Sequence, residues 1–462
     1  MEEINFLNFV TLIDLHRHIT HIMKKSIIIA LLLCGVFAQA QKKWTLKECV
    51  EYAIENNISI KQSELDIEVT EIEKLTAIGN FIPTLRAGAG VQENTGLSFN
   101  PTTNQAETET FLSANGSINA GYNVFDGLRN IRQVQRAKIS NIASQYRLSK
   151  MKDDISLFVA NAYLQVILNK ANLEVLVSQN QVTKEQIKRT QELVDAGVLP
   201  KGDLLEIKAT DASELQSIVG AENSVQLSLI NLAQLLLITD YENFDIEERT
   251  YNIVDEGIAS KNVDEVINAA KTNRSEIKIA EQNLELSKKD VQIARGANLP
   301  SISAFFGYNT RYTDRDELNS FIDQLSLNDG ISYGLNLNVP ILNGFNTKAN
   351  IKRSKINVLR SEFQLEQAKL DLESTVYQAY VDTKGSLKSY EAAQLSVESQ
   401  ELAYQYAKDR YDVGLTNAFD FSQSKLRYDN AIINANRAKY DYIFKLKILE
   451  LYFGIPASEL KF

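Results

Sequence analysis

The chain has 462 residues, 44% apolar and 23% charged, with a net charge of −10 at neutral pH. That balance excludes the basic stripe of a nucleic-acid-binding surface and reads as ordinary solubility. Its three histidines, His16, His18 and His21, all precede Met23, and its two cysteines are Cys34 and Cys49.

Residues 1–22 are read as an over-called upstream start. Met23-Lys24-Lys25, an apolar run from Ile27 to Phe37 and Ala38-Gln39-Ala40 form the n-region, h-region and cleavage site of a signal peptide over 23–40. A lipoprotein reading would use Cys34, but Leu33 precedes it where a small residue is wanted. Beyond residue 40 no His remains and Cys49 stands alone. An internal disulfide, a His-liganded metal and a His-activated nucleophile are therefore excluded there. No GxGxxG or GxxxxGK(S/T) phosphate loop occurs. The chain is expected to be no enzyme and to need no cofactor.

The remainder is one unit used twice at a constant offset of 217 positions. Asn56 falls on Asn273, Gly79 on Gly296, Pro83 on Pro300, Gly127 on Gly344, Gly197 on Gly414 and Asp203 on Asp420. Gly and Pro fix backbone geometry, so turns and element ends are what is duplicated. The first copy, 41–245, reads as helix 45–79, strands 84–93 and 113–125, long helix 127–194, tip 195–202 and helix 203–238. A connector spans 246–261. The second copy, 262–462, reads as helix 262–297, strands 301–313 and 331–341, long helix 344–412, tip 413–419 and helix 420–453.

The long helices are free of Pro, and Ile155, Val159, Ala162 and Val166 recur at helical spacing. Some 67 residues of helix reach roughly 100 Å, far past the span of a compact domain. Asn169 and Asn180 read as register-setting polar positions. The strands alternate with period two: Ile331, Tyr333, Leu335 and Leu337 against Ser332, Gly334, Asn336 and Asn338. Polar loops are expected at 94–110 and 314–330. An exported chain with strands of about this length, apolar on one face and Asn/Ser/Gly on the other, fits a membrane barrel with a wet lumen. Four strands cannot close a barrel, and open edges are not tolerated in a bilayer, so several chains must join. A structural coiled-coil protein of the periplasm or cell surface stays open as the alternative. Phe462 ends the chain without an alternating strand before it and carries no weight.

Several local motifs share this order. Asn80-Phe81-Ile82-Pro83 and Ala297-Asn298-Leu299-Pro300 open the strand pairs, and Phe125-Asp126-Gly127 and Leu342-Asn343-Gly344 open the long helices. Val194-Asp195-Ala196-Gly197-Val198 and Tyr411-Asp412-Val413-Gly414-Leu415 close them. In motif order, spacing and duplication the chain resembles the TolC-like outer-membrane efflux proteins. The resemblance implies an α+β membrane protein with four strands per chain. A homotrimer would build a twelve-stranded β-barrel in outer-membrane lipid, continued by a periplasmic α-helical coiled-coil tunnel. It implies a passive exit duct for small molecules or proteins, docked to a periplasmic adaptor and an inner-membrane transporter of RND, ABC or MFS type, with no nucleic acid involved.

On that resemblance, Gly197, Val198 and Leu199 with Gly414, Leu415 and Thr416 are the expected adaptor-contact tips. Asp420, Gln423 and Asp203 are the expected pore constriction. The family's second acidic ring falls here on Gln423 and its basic residue after the tip glycine on Thr416, so a weaker interlock is expected. Acidic residues are also favoured at a helix start by the dipole alone.

Overall fold

The computed structural model describes residues 43–100, 103–248, 253–254, 257–258 and 260–455. The expected upstream start, the signal peptide, Cys34 and Phe462 lie outside them. The described elements are β1 (Lys43–Trp44), α1 (Leu46–Asn56), α2 (Ile58–Gly79), β2 (Thr84–Asn100), β3 (Gln105–Phe125), α3 (Arg129–Asp195), α4 (Lys201–Leu235) and β4 (Asp245–Ile246). The second copy follows with α5 (Val263–Asn273), α6 (Ser275–Gly296), β5 (Ser301–Thr313), α7 (Phe321–Leu327), β6 (Gly330–Asn338), α8 (Asn346–Asp412) and α9 (Ala418–Phe453). The bounds of α1, α2 and α3 recur 217 positions later in α5, α6 and α8. Among the described residues no helix is long and apolar enough to cross a membrane.

The chain divides into two compact units. One holds the segment up to Ala53, Val159–Asn252 and Ser396–Arg437, and so both tips; the other holds Ile54–Phe158, Ile253–Leu395 and the segment from Ala438, and so the four-stranded sheet. In the first, β1 pairs with β4 in parallel. There the buried Tyr163 hydroxyl lies 3.2 Å from the Trp44 carbonyl and 3.1 Å from that of Glu247. In the second, Tyr380 donates to the Lys261 carbonyl at 3.1 Å, the same bond moved by the repeat offset. The second unit's core gathers Ile258, Val266, Ala270, Ile277, Leu372, Val376 and Leu449. Each Ile, Leu or Val among them contributes about 1.5–3 kcal/mol by leaving water.

The sheet runs β2-β3-β5-β6, all antiparallel. Its register aligns Leu85, Ala120, Phe306 and Tyr333 in one row and Ala87, Ile118, Tyr308 and Ile331 in the next. One face is thus apolar across all four strands, because a side-chain period of two ties face to register. The opposite face carries Asn119, Gly307 and Ser332. A Cβ on Gly307 would sit 2.9 Å from Ser332 Oγ, so a larger residue there would push that hydroxyl aside.

Several boundaries differ from the sequence reading. The expected helices 45–79 and 262–297 are each two helices, broken at Asn57 and Arg274. Asn57 has extended backbone and its side chain accepts from the Ser59 N–H, capping α2. Arg274 is also extended, and its buried guanidinium binds Glu276 at 2.9 Å and Asp153 at 3.4 Å. The long helices start two residues later than expected, at Arg129 and Asn346. Gly127-Leu128 and Gly344-Phe345 are all left-handed, with φ from 59° to 75°. The descending helices begin earlier, at Lys201 and Ala418. Pro200 occupies the cap position of α4, and Asn417 accepts from the Asp420 N–H at 2.8 Å.

The expected loop 94–110 is mostly strand. Strand pairing persists there although hydrophobic alternation fades, since the backbone ladder and polar cross-strand pairs such as Thr95–Thr110 (2.9 Å) suffice. β6 ends at Asn338 rather than 341, before Pro340, which has no N–H to give a ladder. The expected loop 314–330 contains α7, capped by the Ser320 side chain. Beside it Arg315 is tucked in, its guanidinium 3.9 Å from the Phe111 ring centre and donating to the Phe99 carbonyl at 3.3 Å.

Candidate gate and docking tips

Both long helices end in the same way. The Gly197 N–H bonds the Val194 carbonyl and Val198 N–H the Leu193 carbonyl; Gly414 N–H bonds Tyr411 and Leu415 N–H Arg410. These are Schellman closures, and both glycines sit at φ 75°, where a Cβ is strained. Gly197, Val198, Gly414 and Leu415 are exposed, while Leu199 and Thr416 are half-buried. Leu199 packs against a buried cluster of Ile207, Tyr404, Tyr411, Ala418 and Phe421. It is therefore partly a core residue and presents less surface than its neighbours.

Asp420 lies exposed in the first turn of α9, where the Thr416 hydroxyl donates to its carboxylate at 3.3 Å. Asp203 is half-buried in the first turn of α4, and Gln423 is half-buried one turn beyond Asp420. Burial raises the pKa of the Tyr411 hydroxyl, and the Asp203 charge adds to it. Asp203 is thus partly covered, whereas Asp420 is open to solvent.

Behind the second tip the packing is aromatic. Tyr411 stacks on Phe421 with ring centres 5.1 Å apart, and Tyr404 on Tyr428 at 5.5 Å. The Tyr411 and Thr190 hydroxyls share a buried hydrogen bond of 3.0 Å, and Arg189 pairs with Asp412 at 3.1 Å. Burial pushes the Tyr404 hydroxyl up to about 12, with the charges of Asp429 and Asp412 adding to it.

Further along lies a polar network that the sequence reading missed. Lys425, almost wholly buried, donates to Glu214 at 2.6 Å and Asp429 at 3.2 Å. Asn180 donates to Asp211 and Glu214, and Thr183 to Glu214. Asn169 donates to the Ser224 carbonyl. The two asparagines therefore tie α3 to α4 as well as interrupting its apolar seam. Burial raises Asp429 to about 6 even with Lys425 beside it. Its second oxygen, Oδ1, is buried without a hydrogen-bond partner, so the carboxylate form is poorly solvated. One signal was available in the sequence: Tyr404, Tyr411, Phe421 and Tyr428 stand where the first copy has Ile187, Val194, Leu204 and Asp211. Cys49 is buried, and no cluster able to hold a metal occurs among the described residues.

The outer membrane efflux protein family profile matches the chain twice, over residues 49–236 and 266–454. The chain belongs to the outer membrane efflux protein family. It is 25% identical over 318 residues to the outer membrane protein TolC of Vibrio cholerae, covering 67% of this chain and 68% of that protein. It is 22% identical to the protein CyaE of Bordetella pertussis, over 90% of this chain and 84% of that one. The Campylobacter jejuni CmeC outer membrane channel superposes with a TM-score of 0.76 at 18% identity, covering 88% of this chain and 85% of that one. VceC of Vibrio cholerae superposes at 0.73 and 17% identity, over 88% and 96%. As an outer membrane efflux protein, this chain is an exit duct of the outer membrane with long helices beyond its strands. The members of the family are channels.

Proposed function

We propose that the chain forms a homotrimer whose twelve strands close a barrel continued by a periplasmic helical tunnel. It serves as the passive duct of a tripartite efflux or type I secretion system. The observation that carries this reading is the sheet itself, apolar across one face and with β2 and β6 as its open edges in a single chain. An open edge in hydrocarbon leaves backbone N–H and C=O groups unsatisfied, so neighbouring chains have to cover both. Detergent-extracted protein is expected to run as a heat-modifiable trimer; a monomer retaining its strands would sink the reading.

In this proposal the two Schellman-closed tips meet a periplasmic adaptor through Gly197, Val198, Gly414, Leu415 and Thr416, with Leu199 supporting them from the core. An inner-membrane transporter of RND, ABC or MFS type supplies the energy. Asp420 from each chain forms an acidic ring that gathers cations at the mouth, and Gln423 and Asp203 line it further in. Planar-bilayer conductance tests the ring: Asp420→Ala is expected to lose cation selectivity, and unchanged selectivity would remove Asp420 from the gate. Gly414→Val tests docking through adaptor cross-linking, which is expected to fall.

A further inference from the structure

The shorter hairpin of the sheet does not stop where its ladder stops. β5 pairs with β6 only as far as Asn309, yet it continues beside β3 to Thr313. Above Asn309 the helix α7 takes the place of β6. The Gln324 side chain accepts from the Thr313 N–H at 2.9 Å, and Asn328 donates to the Arg311 carbonyl at 3.1 Å. The Thr310 hydroxyl donates to the Leu325 carbonyl at 2.7 Å. Two side-chain amides thus satisfy backbone groups that a strand would otherwise have met. Gln324 is fully buried, and its own amide nitrogen donates to the Asp316 and Asn319 carbonyls, each at 3.1 Å. α7 is therefore fixed to the strand.

Tyr312 sets the side of the sheet on which the helix lies. Side chains alternate along a strand, so Tyr312 lies on the apolar face with Phe306 and Tyr308. It continues the apolar rows, opposite Ala114, which in turn stands opposite Val91. The Phe321 ring meets Tyr312 edge-on, with centres 4.9 Å apart. Around Phe321, Leu318 is 83% exposed and Ile322 is 70% exposed. At helical spacing Phe321, Ile322 and Leu325 share one side of α7, while Ser320 and Asp323, both exposed, lie away from it.

We propose that α7 is an anchor at the outer surface of the membrane. Leu318, Phe321 and Ile322 sit in lipid at the boundary between headgroups and acyl chains, and Asp323 faces water. This rests on the barrel proposed above and adds a lipid contact beyond its strands. The level follows from β5. From Ile302 to Tyr312 it climbs roughly 34 Å along its axis, or about 26 Å of height at a tilt of about 40°, which matches the roughly 25 Å apolar band of an outer-membrane barrel. Tyr312 stands at the end of β5 far from α6. Phe321 and Ile322 therefore meet the outer edge of that band, where aromatic rings collect in such barrels.

Water is a poor partner for this patch. Single large side chains on a surface need no explanation, whereas three together, continuous with a face already turned to hydrocarbon, mark a contact. The edge strand of a neighbouring chain is the other candidate cover. Tyr312 and Phe321, however, meet on the face of the sheet and not along its edge, and that face is the one that lipid covers.

The chain has a single tryptophan, Trp44, so an added one reports its own surroundings by difference from the parent. The full chain is reconstituted into phosphatidylcholine vesicles carrying brominated acyl chains. Ile322→Trp is expected to be quenched roughly threefold more by bromine near the headgroup than by bromine near the chain end, since an interfacial helix sinks about 5–10 Å into that boundary. Leu327→Trp, on the opposite side of α7, is expected to show no quenching above the parent. Tyr333→Trp, midway up the apolar face, is the control for the barrel and is expected to be quenched most by the deep bromine. Should Ile322→Trp not assemble, Leu318→Trp takes its place. A quenched Tyr333→Trp with an unquenched Ile322→Trp overturns the lipid seat of α7 and leaves the barrel standing, whether water or a neighbouring chain then covers the helix. Stronger quenching of Ile322→Trp by the deep bromine overturns the interfacial level. An unquenched Tyr333→Trp overturns the barrel and the anchor together.

Discussion

The two tips share a backbone and differ in what stands behind it. Both close on a left-handed glycine with the same pair of hydrogen bonds. Behind Gly414 lie Tyr404, Tyr411 and Phe421; at the matching places behind Gly197 stand Ile187, Val194 and Leu204. Ile187 packs against the aromatic cluster of the other copy, so the pair of tips forms one asymmetric core. Turn geometry is set by a few residues with special φ, whereas packing is set by side-chain volume. A duplicated sequence can therefore hold the first constant and let the second diverge.

The largest expected effect that sharpens this contrast is at Lys425. Lys425→Ala strands the half-buried Glu214 and buried Asp429 charges and is expected to destabilise the tip-bearing unit by about 3 kcal/mol. Its repeat counterpart Lys208 is exposed, and Lys208→Ala is expected to stay within about 0.5 kcal/mol. Denaturant-dependent hydrogen exchange of the α9 amides measures both. Equal losses would break the comparison.

Next comes the aromatic core. Tyr411→Ala removes a fully buried ring and the Thr190 hydrogen bond, at about 3–5 kcal/mol. Val194→Ala, at a half-buried position, is expected to lose about 1 kcal/mol or less. Protease nicking at each tip loop reports the difference.

A pH test follows. Asp429 holds its proton up to about 6 in the folded chain, against about 3.9 when unfolded. The stabilisation from the bound proton is full below the unfolded value and is lost as pH rises through about 6. Asp429→Asn keeps the neutral form at every pH. The parent is therefore expected to gain about 1–2 kcal/mol relative to this variant between pH 7.5 and pH 5. Parallel stability curves would refute the assignment.

The smallest effect tests the shared backbone. Gly197→Ala and Gly414→Ala should each lose about 1 kcal/mol, since both glycines occupy the same left-handed geometry. A clear inequality between them would mean that the two closures are not equivalent.

Much of the fold was legible because Gly, Pro and apolar periodicity report directly on backbone. The offset that joins Gly127 to Gly344 and Gly197 to Gly414 located the helix starts and tips to within a few residues. The breaks at Asn57 and Arg274 were not legible, since each depends on a side chain finding its partner while the periodicity runs on. The outer part of β2 and β3 was missed because wet strands need no alternation. The Lys425 network was hidden for a further reason: Lys, Asp and Glu on a helix ordinarily read as solvent-facing, and only the packing of α9 on its neighbours buries them.

The two hairpins of the sheet differ in height. β2 and β3 stay paired from Thr84 to Asn100, whereas β5 and β6 pair only from Ser301 to Asn309. Arg315 moors the loop of the low hairpin to Phe99 and Phe111 on the tall one. In the proposed ring each chain then contributes one tall two-stranded piece and one lower hairpin topped by α7. The height of the lower part is held jointly by Arg315 on the Phe99 carbonyl and by Asp314, which accepts from the Leu112 N–H and donates its own N–H to the Leu112 carbonyl, so the two hairpins share one mooring.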